Sequence, residues 1–283
     1  MCRVDAVQAQ RRGPKRITEE NRLMRFKVTL EYAGTRYSGW QIQKNARTVQ
    51  GEIARAVTEV IGTADFELYG SGRTDAGVHA LAQVAHLDAH VTVPPEMLRR
   101  RINDLLPSDI NVLRLEPVRH RFHARHSAVG RSYIYQVSRR RTAFAKAFVW
   151  WVKDELDVER MRTTAKRFVG FHDFRAFSDA DPEETSTDVL VDTLDIHEDD
   201  DLLVVHIEGS HFLWKMVRRL VGVLVEVGRG GLSDEEAARL FIAGGGLPAR
   251  LTAPASGLFL ERVFYEGEPR DVAVRPPVAV LRM

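Results

Sequence analysis

The segment GSGRTDAGVHA, from Gly70 to Ala80, constrains the fold more than any other part of this chain. It separates two runs of strand character, Asp65 to Tyr69 and Leu81 to Leu87, so it reads as a tight loop on a rigid sheet. Its glycines, Gly70, Gly72 and Gly77, supply backbone freedom that side chains forbid. The loop presents one carboxylate, Asp75, two residues from one guanidinium, Arg73. A permanently charged partner can aim such a carboxylate, which then serves as nucleophile, base or electrostatic anchor. The same residues also suit a surface turn closed by a side-chain cap.

The surrounding pattern is that of an α+β protein. Phe26, Val28, Leu30 and Tyr32 alternate with Lys27, Thr29 and Glu31, the signature of a half-buried strand. Val49, Ile53, Val57, Val60 and Ile61 then recur at helical spacing, with Thr48 placed to cap the start and Gly62 to end it. A strand near Phe66, the loop, a strand to about Asp88, a helix opened by Pro94-Pro95 and running to about Asp104, and a strand from Asn111 to Leu115 follow. This order resembles a ferredoxin-like split unit. The second half repeats it less tidily. Strands are expected at Ser132–Ser138, Val189–His197, Leu202–Glu208 and Leu258–Tyr265, and helices at about Val158–Val169, Leu213–Val227 and from Ser233, where Glu236 completes a capping box. The expected fold is therefore two ferredoxin-like halves with mainly antiparallel sheets meeting at a central cleft, the default place for a ligand. The expected boundaries are a disordered basic tail over 1–24, an N-terminal unit over 25–120, a C-terminal unit over 121–268 and a tail over 269–283.

Charge is segregated although the formal net charge is only +2. Residues 99–146 hold twelve Lys or Arg against Asp104, Asp109 and Glu116, whereas residues 173–201 hold twelve acids and only Arg175. Such a division suggests one face built for a polyanion and another that repels it, or simply solvated surface. Cys2 is the only cysteine, which excludes a disulfide within the chain and a cysteine zinc cluster. No run is long and apolar enough to span a bilayer, and the basic first 23 residues lack the apolar stretch of a secretory signal, so a cytoplasmic protein is expected. Met24, just ahead of the first expected strand, marks a second candidate start.

Periodicity nominates partners for Asp75. On the helix after Phe212, Leu213, Val217, Leu220, Val221 and Leu224 form the apolar stripe. Arg218 lies at its edge, while Lys215 and Arg219 are expected to point to solvent. On the strand before it, Arg131, Tyr133, Tyr135 and Val137 share one face, with Tyr135 expected in the core. His120, His123 and His126 have the spacing of a metal site, but Arg119, Arg121 and Arg125 oppose a cation there, which favours RNA contact or packing. His79 is expected to orient the loop. Glu198 to Asp201 read as a solvated hairpin turn, the alternative being a metal-dependent phosphodiesterase site. Phe171, Phe174 and Phe177 read as core.

The loop sequence resembles the signature of the tRNA pseudouridine synthase A family, and further blocks resemble that family in order: YSGWQ from Tyr37, FHARHS from Phe122, RSYIY from Arg131, FLWKMVRRLVG from Phe212 and APASGLFL from Ala253. The resemblance spans Arg25 to about Glu266 and implies the pseudouridine synthase fold. It also implies an isomerase that converts uridine to pseudouridine at tRNA positions 38–40, in the anticodon arm, without metal or cofactor. Asp75 then matches the catalytic aspartate, Arg73 the motif arginine, Tyr133 the active-site aromatic and Arg218 a second active-site arginine. Arg125, Arg131, His123 and Leu258 complete the expected substrate-binding set. A homodimer holding tRNA is implied as well. The departures are Trp214-Lys215 and the charged segment Asp179 to Asp188, which bears on RNA selection. A non-catalytic structured-RNA-binding protein on the same fold is the alternative, and the joint presence of Asp75, Tyr133 and Arg218 argues against it.

Overall fold

A computed structural model describes residues 22–179, 186–243, 246–270 and 273–280. Cys2, the basic tail up to residue 21, Pro182-Glu183-Glu184 and the end of the C-terminal tail lie outside the described residues.

The N-terminal half begins with strand β1 (Arg22–Tyr32), so Met24 stands inside the strand, opposite Ala89, and not ahead of it. Helix α1 (Val49–Ile61) starts where Thr48 Oγ1 accepts the amide of Gly51 at 3.2 Å and stops at Gly62, whose φ of 75° is left-handed. Strands β2 (Phe66–Gly70) and β3 (His79–Val91), helix α2 (Pro95–Leu105) and strand β4 (Ile110–Val118) follow in the expected order. The C-terminal half contributes β5 (Ala128–Ser138), the short β6 (Trp150–Trp151), α3 (Val158–Ala165), β7 (Gly170–Asp173), β8 (Asp188–Asp199), β9 (Leu202–Gly209), α4 (Met216–Gly228), α5 (Asp234–Ala243), α6 (Leu247–Arg250) and β10 (Leu258–Tyr265). Ser233 and Glu236 form the reciprocal capping box ahead of α5, each side chain taking the other's backbone amide.

Among the described residues all ten strands join one sheet, ordered β4-β1-β3-β10-β5-β9-β8-β7, with β2 on β3 and β6 on β5. The last strand in sequence lies at its centre. β10 pairs antiparallel with β5 and parallel with the first residues of β3, where Phe259 meets His79 and Leu260 meets Ala80. β2 uses the same edge of β3 further along, between Ala85 and Ala89. The loop Ser71–Val78 therefore emerges where one edge of β3 changes partner, and a change of partner leaves a gap that a side chain can enter.

The alternation on β1 holds, with Phe26, Val28, Leu30 and Tyr32 buried against α1 and α2. On β5, Tyr135 and Val137 enter the core beneath α3 and α4, whereas Ile134 faces the other side with Leu202, Val204 and Val280. Phe174 and Phe177 are core as expected, but Phe171 on edge strand β7 is 68% exposed.

Helix α4 departs from expectation. It begins at Met216, after Leu213, and Arg219 is 4% exposed, its guanidinium paired with Asp179. α4 is covered on nearly every side, apolar residues from Met216 to Val227 all being buried, so it has no solvated face for Arg219. A buried guanidinium needs a carboxylate, and Asp179, which also takes Lys215 Nζ at 2.6 Å, supplies it. The Lys215 ammonium, with Arg219 beside it, holds the Asp179 carboxyl below the usual range.

Candidate functional site

The loop is fixed from beneath by buried polar groups. Ser71 Oγ donates to Gln83 Oε1 at 2.7 Å, Gln83 Nε2 donates to the Gly72 carbonyl at 3.1 Å, and the Tyr32 and Thr74 hydroxyls share a 2.8 Å bond. Trp40 N reaches the Thr74 carbonyl, and Val78 N closes back on the Asp75 carbonyl. Among the loop glycines only Gly77 takes a left-handed φ, 81°. A further constrained glycine lies on the preceding loop: Gly39 has φ 90°, and a Cβ there would stand 2.5 Å from the Thr74 carbonyl. His79 serves the far side, where its buried ring accepts the Gly34 amide, meets the Ala147 carbonyl and stacks on Phe259.

Asp75 is held by one donor on each oxygen. Arg218 Nη1 donates to Oδ2 at 2.9 Å, and Trp214 Nε1 donates to Oδ1 at 3.0 Å. Arg218 is itself aimed by Nε donating to the Ala253 carbonyl at 2.8 Å. Both members of the ion pair are largely withdrawn from water, side-chain exposures being 20% and 16%. Their attraction is thus less screened than at a surface.

Trp214 is the site residue that sequence reasoning missed. It stood out only as a departure in its block, although an indole just ahead of the helix carrying Arg218 was the signal. It is 46% exposed, and its carbonyl is gripped by Ser178 Oγ at 3.2 Å and the Asp179 amide at 3.4 Å. We expect Trp214→Phe to lower kcat about fivefold with KM little changed, the scale of one hydrogen bond of about 1 kcal/mol. Steady-state kinetics check it, and an unchanged kcat would remove Trp214 from the site.

The cavity over Asp75 has a volume of about 780 Å³. Arg73, Arg125, Arg131, Lys215 and Arg218 line it, and among the described residues Asp75 is its one acidic side chain. Tyr133 and Leu258 complete the wall beside Asp75. Burial pushes the Tyr133 phenol up to about 12, so at neutral pH it presents a flat ring and an O–H donor. The structure thus brings Asp75, Arg73, Tyr133, Arg218, Arg125, Arg131 and Leu258 to one cavity. Arg131 also acts as a tie. Its Nη1 donates to the Ser210 carbonyl at 3.0 Å, and its Nη2 to the Ser71 and Arg125 carbonyls, both at 3.2 Å, which joins the loop to the second half.

His123 is turned differently. Its Nδ1 accepts the amides of Arg125 and His126, and its ring packs against Tyr69, His86 and His126. Among the described residues no three His, Cys, Asp or Glu are arranged to hold a metal ion. The acidic turn between β8 and β9 is paired: Glu198 with Arg139, and Asp201 with Arg140. The two runs of opposite charge thus meet at these pairs.

His86 is buried, with Nδ1 accepting the Ala124 amide and Nε2 without a partner among the described residues. Burial, with Arg25 and His123 nearby, lowers it from 6.5 to about 4. As pH falls below 6.5 the unfolded chain takes up a proton that the folded chain refuses until about 4. His86 therefore costs stability across that window, and none above it. We expect His86→Gln, which keeps an acceptor for Ala124, to flatten the fall of Tm between pH 6.5 and 4. An unchanged slope would contradict this.

The family model described as tRNA pseudouridine synthase matches residues 29–127 and 164–266. Asp75 and Arg218 fall inside the matched stretches, whereas β5 with Tyr133 lies between them, so Tyr133 stands on geometry. The chain is 41% identical over 245 residues to tRNA pseudouridine synthase A of Rhodopseudomonas palustris, covering 86% of this chain and 99% of the relative. It is 38% identical over 248 residues to tRNA pseudouridine synthase A 2 of Clostridium tetani, again 86% and 99%. It is 39% identical to tRNA pseudouridine synthase A 1 of Protochlamydia amoebophila, covering 86% of this chain and 97% of the relative. With profile and relatives spanning both halves of the sheet and the cavity between them, this chain belongs to the tRNA pseudouridine synthase family, whose members are isomerases acting on tRNA.

Proposed function

We propose that this protein isomerises uridine to pseudouridine in the anticodon arm of tRNA, at positions 38–40, with Asp75 as the catalytic carboxylate. The observation that carries the reading is Asp75 itself: one carboxylate, fixed on both oxygens by Arg218 and Trp214, in a cavity to which Arg73, Arg125, Arg131, Lys215 and Arg218 bring positive charge. A polyanion is drawn to such a cavity, and the carboxylate meets the sugar once a uridine is turned out of its stem.

The bond between C1′ and N1 breaks, the uracil turns, and C1′ bonds to C5. The C5 proton leaves and N1 gains one, so the reaction balances without an oxidant or co-substrate. Asp75 acts at C1′ or on the proton beside it. Tyr133 covers the detached ring with its flat face, and Leu258 walls the cavity against water. Arg218 holds the carboxylate, and Arg73, exposed on the wall, takes the phosphate of the turned-out nucleotide. Arg125 adds charge along the RNA path.

The working form is proposed to be a cytoplasmic homodimer of the two-unit chain, whose paired clefts hold one tRNA. Mapping pseudouridine in unmodified tRNA after incubation with the protein tests the reading. Modification confined to positions 38–40 supports it, whereas modification elsewhere in tRNA would overturn the positional assignment. Binding without any modification would favour a non-catalytic RNA-binding protein.

A further inference from the structure

The cavity continues from Asp75 along the end of β2, where Tyr69 joins Gln41 and Gln43 in its wall. Tyr69 is 37% exposed. Its ring is backed by a column of imidazoles: it stacks on His86, its cross-strand partner, with centroids 5.8 Å apart and planes 24° apart. His123 lies 5.0 Å from Tyr69 and 4.7 Å from His86, and exposed His126 lies 4.3 Å beyond His123. The column is anchored, because His86 Nδ1 accepts the Ala124 amide and the ring is fully buried. Burial also lowers both His86 and His123, which favours the neutral form of the two rings that back Tyr69. A rigid aromatic surface opening onto a cationic cavity offers a π-face beside a phosphate path. That combination holds unpaired bases without reading their sequence.

We propose that Tyr69, supported by His86 and His123, is a stacking platform for an unpaired nucleobase next to the target uridine, a subsite apart from the uracil position at Tyr133. The proposal rests on the reading of the cavity as an RNA site. Tyr69 belongs to the strand that leads into the catalytic loop, so a base held there fixes the RNA relative to Asp75.

The test uses RNA stem-loops carrying 2-aminopurine at each unpaired position beside the target, bound to the full chain at fixed salt. On the wild type, fluorescence at one flanking position is quenched. Tyr69→Phe keeps the quench and the affinity. Tyr69→Leu covers His86 without a π-face; it loses the quench and weakens binding about tenfold, the scale of one stacked base. The salt dependence of binding stays that of the wild type, because no charge is removed. Wild-type quench and affinity in Tyr69→Leu, no quench at any position on the wild type, or a Phe variant as weak as the Leu variant would each overturn the platform. Because the readout is binding, a Tyr69-dependent quench on a protein that makes no pseudouridine keeps the platform and sinks the enzyme reading instead.

Discussion

Asp75→Asn is expected to lower pseudouridine formation by about 10⁴-fold while tRNA binding is retained or slightly tightened. The substitution keeps the size of the side chain, so the cavity keeps its shape. An amide neither attacks C1′ nor takes a proton beside it, and a positioned carboxylate in such a role contributes on this scale. Binding follows a separate argument. Asp75 is the acidic side chain in a lining that otherwise presents Arg73, Arg125, Arg131, Lys215 and Arg218, and removing its charge lessens repulsion of phosphate. The substitution also has a structural cost. One amide cannot accept from both Trp214 Nε1 and Arg218 Nη1, so one donor is left facing an NH₂ group. Single-turnover kinetics with a parallel binding isotherm separate the two effects. Activity within tenfold of the wild type would remove Asp75 from the chemistry.

Gly222→Ala is expected to destabilise the protein by about 3 kcal/mol or more, lowering Tm by roughly 6–12 °C. A Cβ on Gly222 would stand 1.7 Å from the Leu251 carbonyl oxygen and 3.3 Å from the Ala253 amide. These are backbone atoms, so no rotamer change relieves the overlap. Either α4 moves away or the segment after α6 does, and that segment carries the Ala253 carbonyl that aims Arg218 and the Ala253 amide bonded to the Arg218 carbonyl. Activity should therefore fall at temperatures where the variant is still folded. Thermal denaturation with activity measured below the transition checks both parts, and an unshifted Tm would contradict the packing described.

What the sequence made legible was local. The alternation on β1, the Thr48 and Gly62 ends of α1 and the Ser233–Glu236 box depend on residues within a few positions of one another, and all stand as read. Arg218 was also within reach, because its place at the edge of an apolar stripe follows from the helical period. The central position of β10 was not, since pairing with β3 and β5 is decided by residues far apart in sequence. Arg219 failed for a related reason. A period gives the direction of a side chain but not what covers it, and α4 turned out to be enclosed. The loop glycines show the limit of composition as a guide. Gly77 alone among them needs its freedom, while Gly39, outside the segment, is held against Thr74. Trp214 became visible only when the fold placed its indole over Asp75.

Release of tritium from C5-labelled uridine in unmodified tRNA, in the presence of EDTA, tests the central claim most directly, because the C5 proton must leave for the new carbon–carbon bond to stand. The account predicts release by the wild-type protein at the rate of pseudouridine formation, undiminished by the chelator, and none by Asp75→Asn. Tight tRNA binding by the wild type with no release from a mixed tRNA pool, or release that persists in Asp75→Asn, would contradict it.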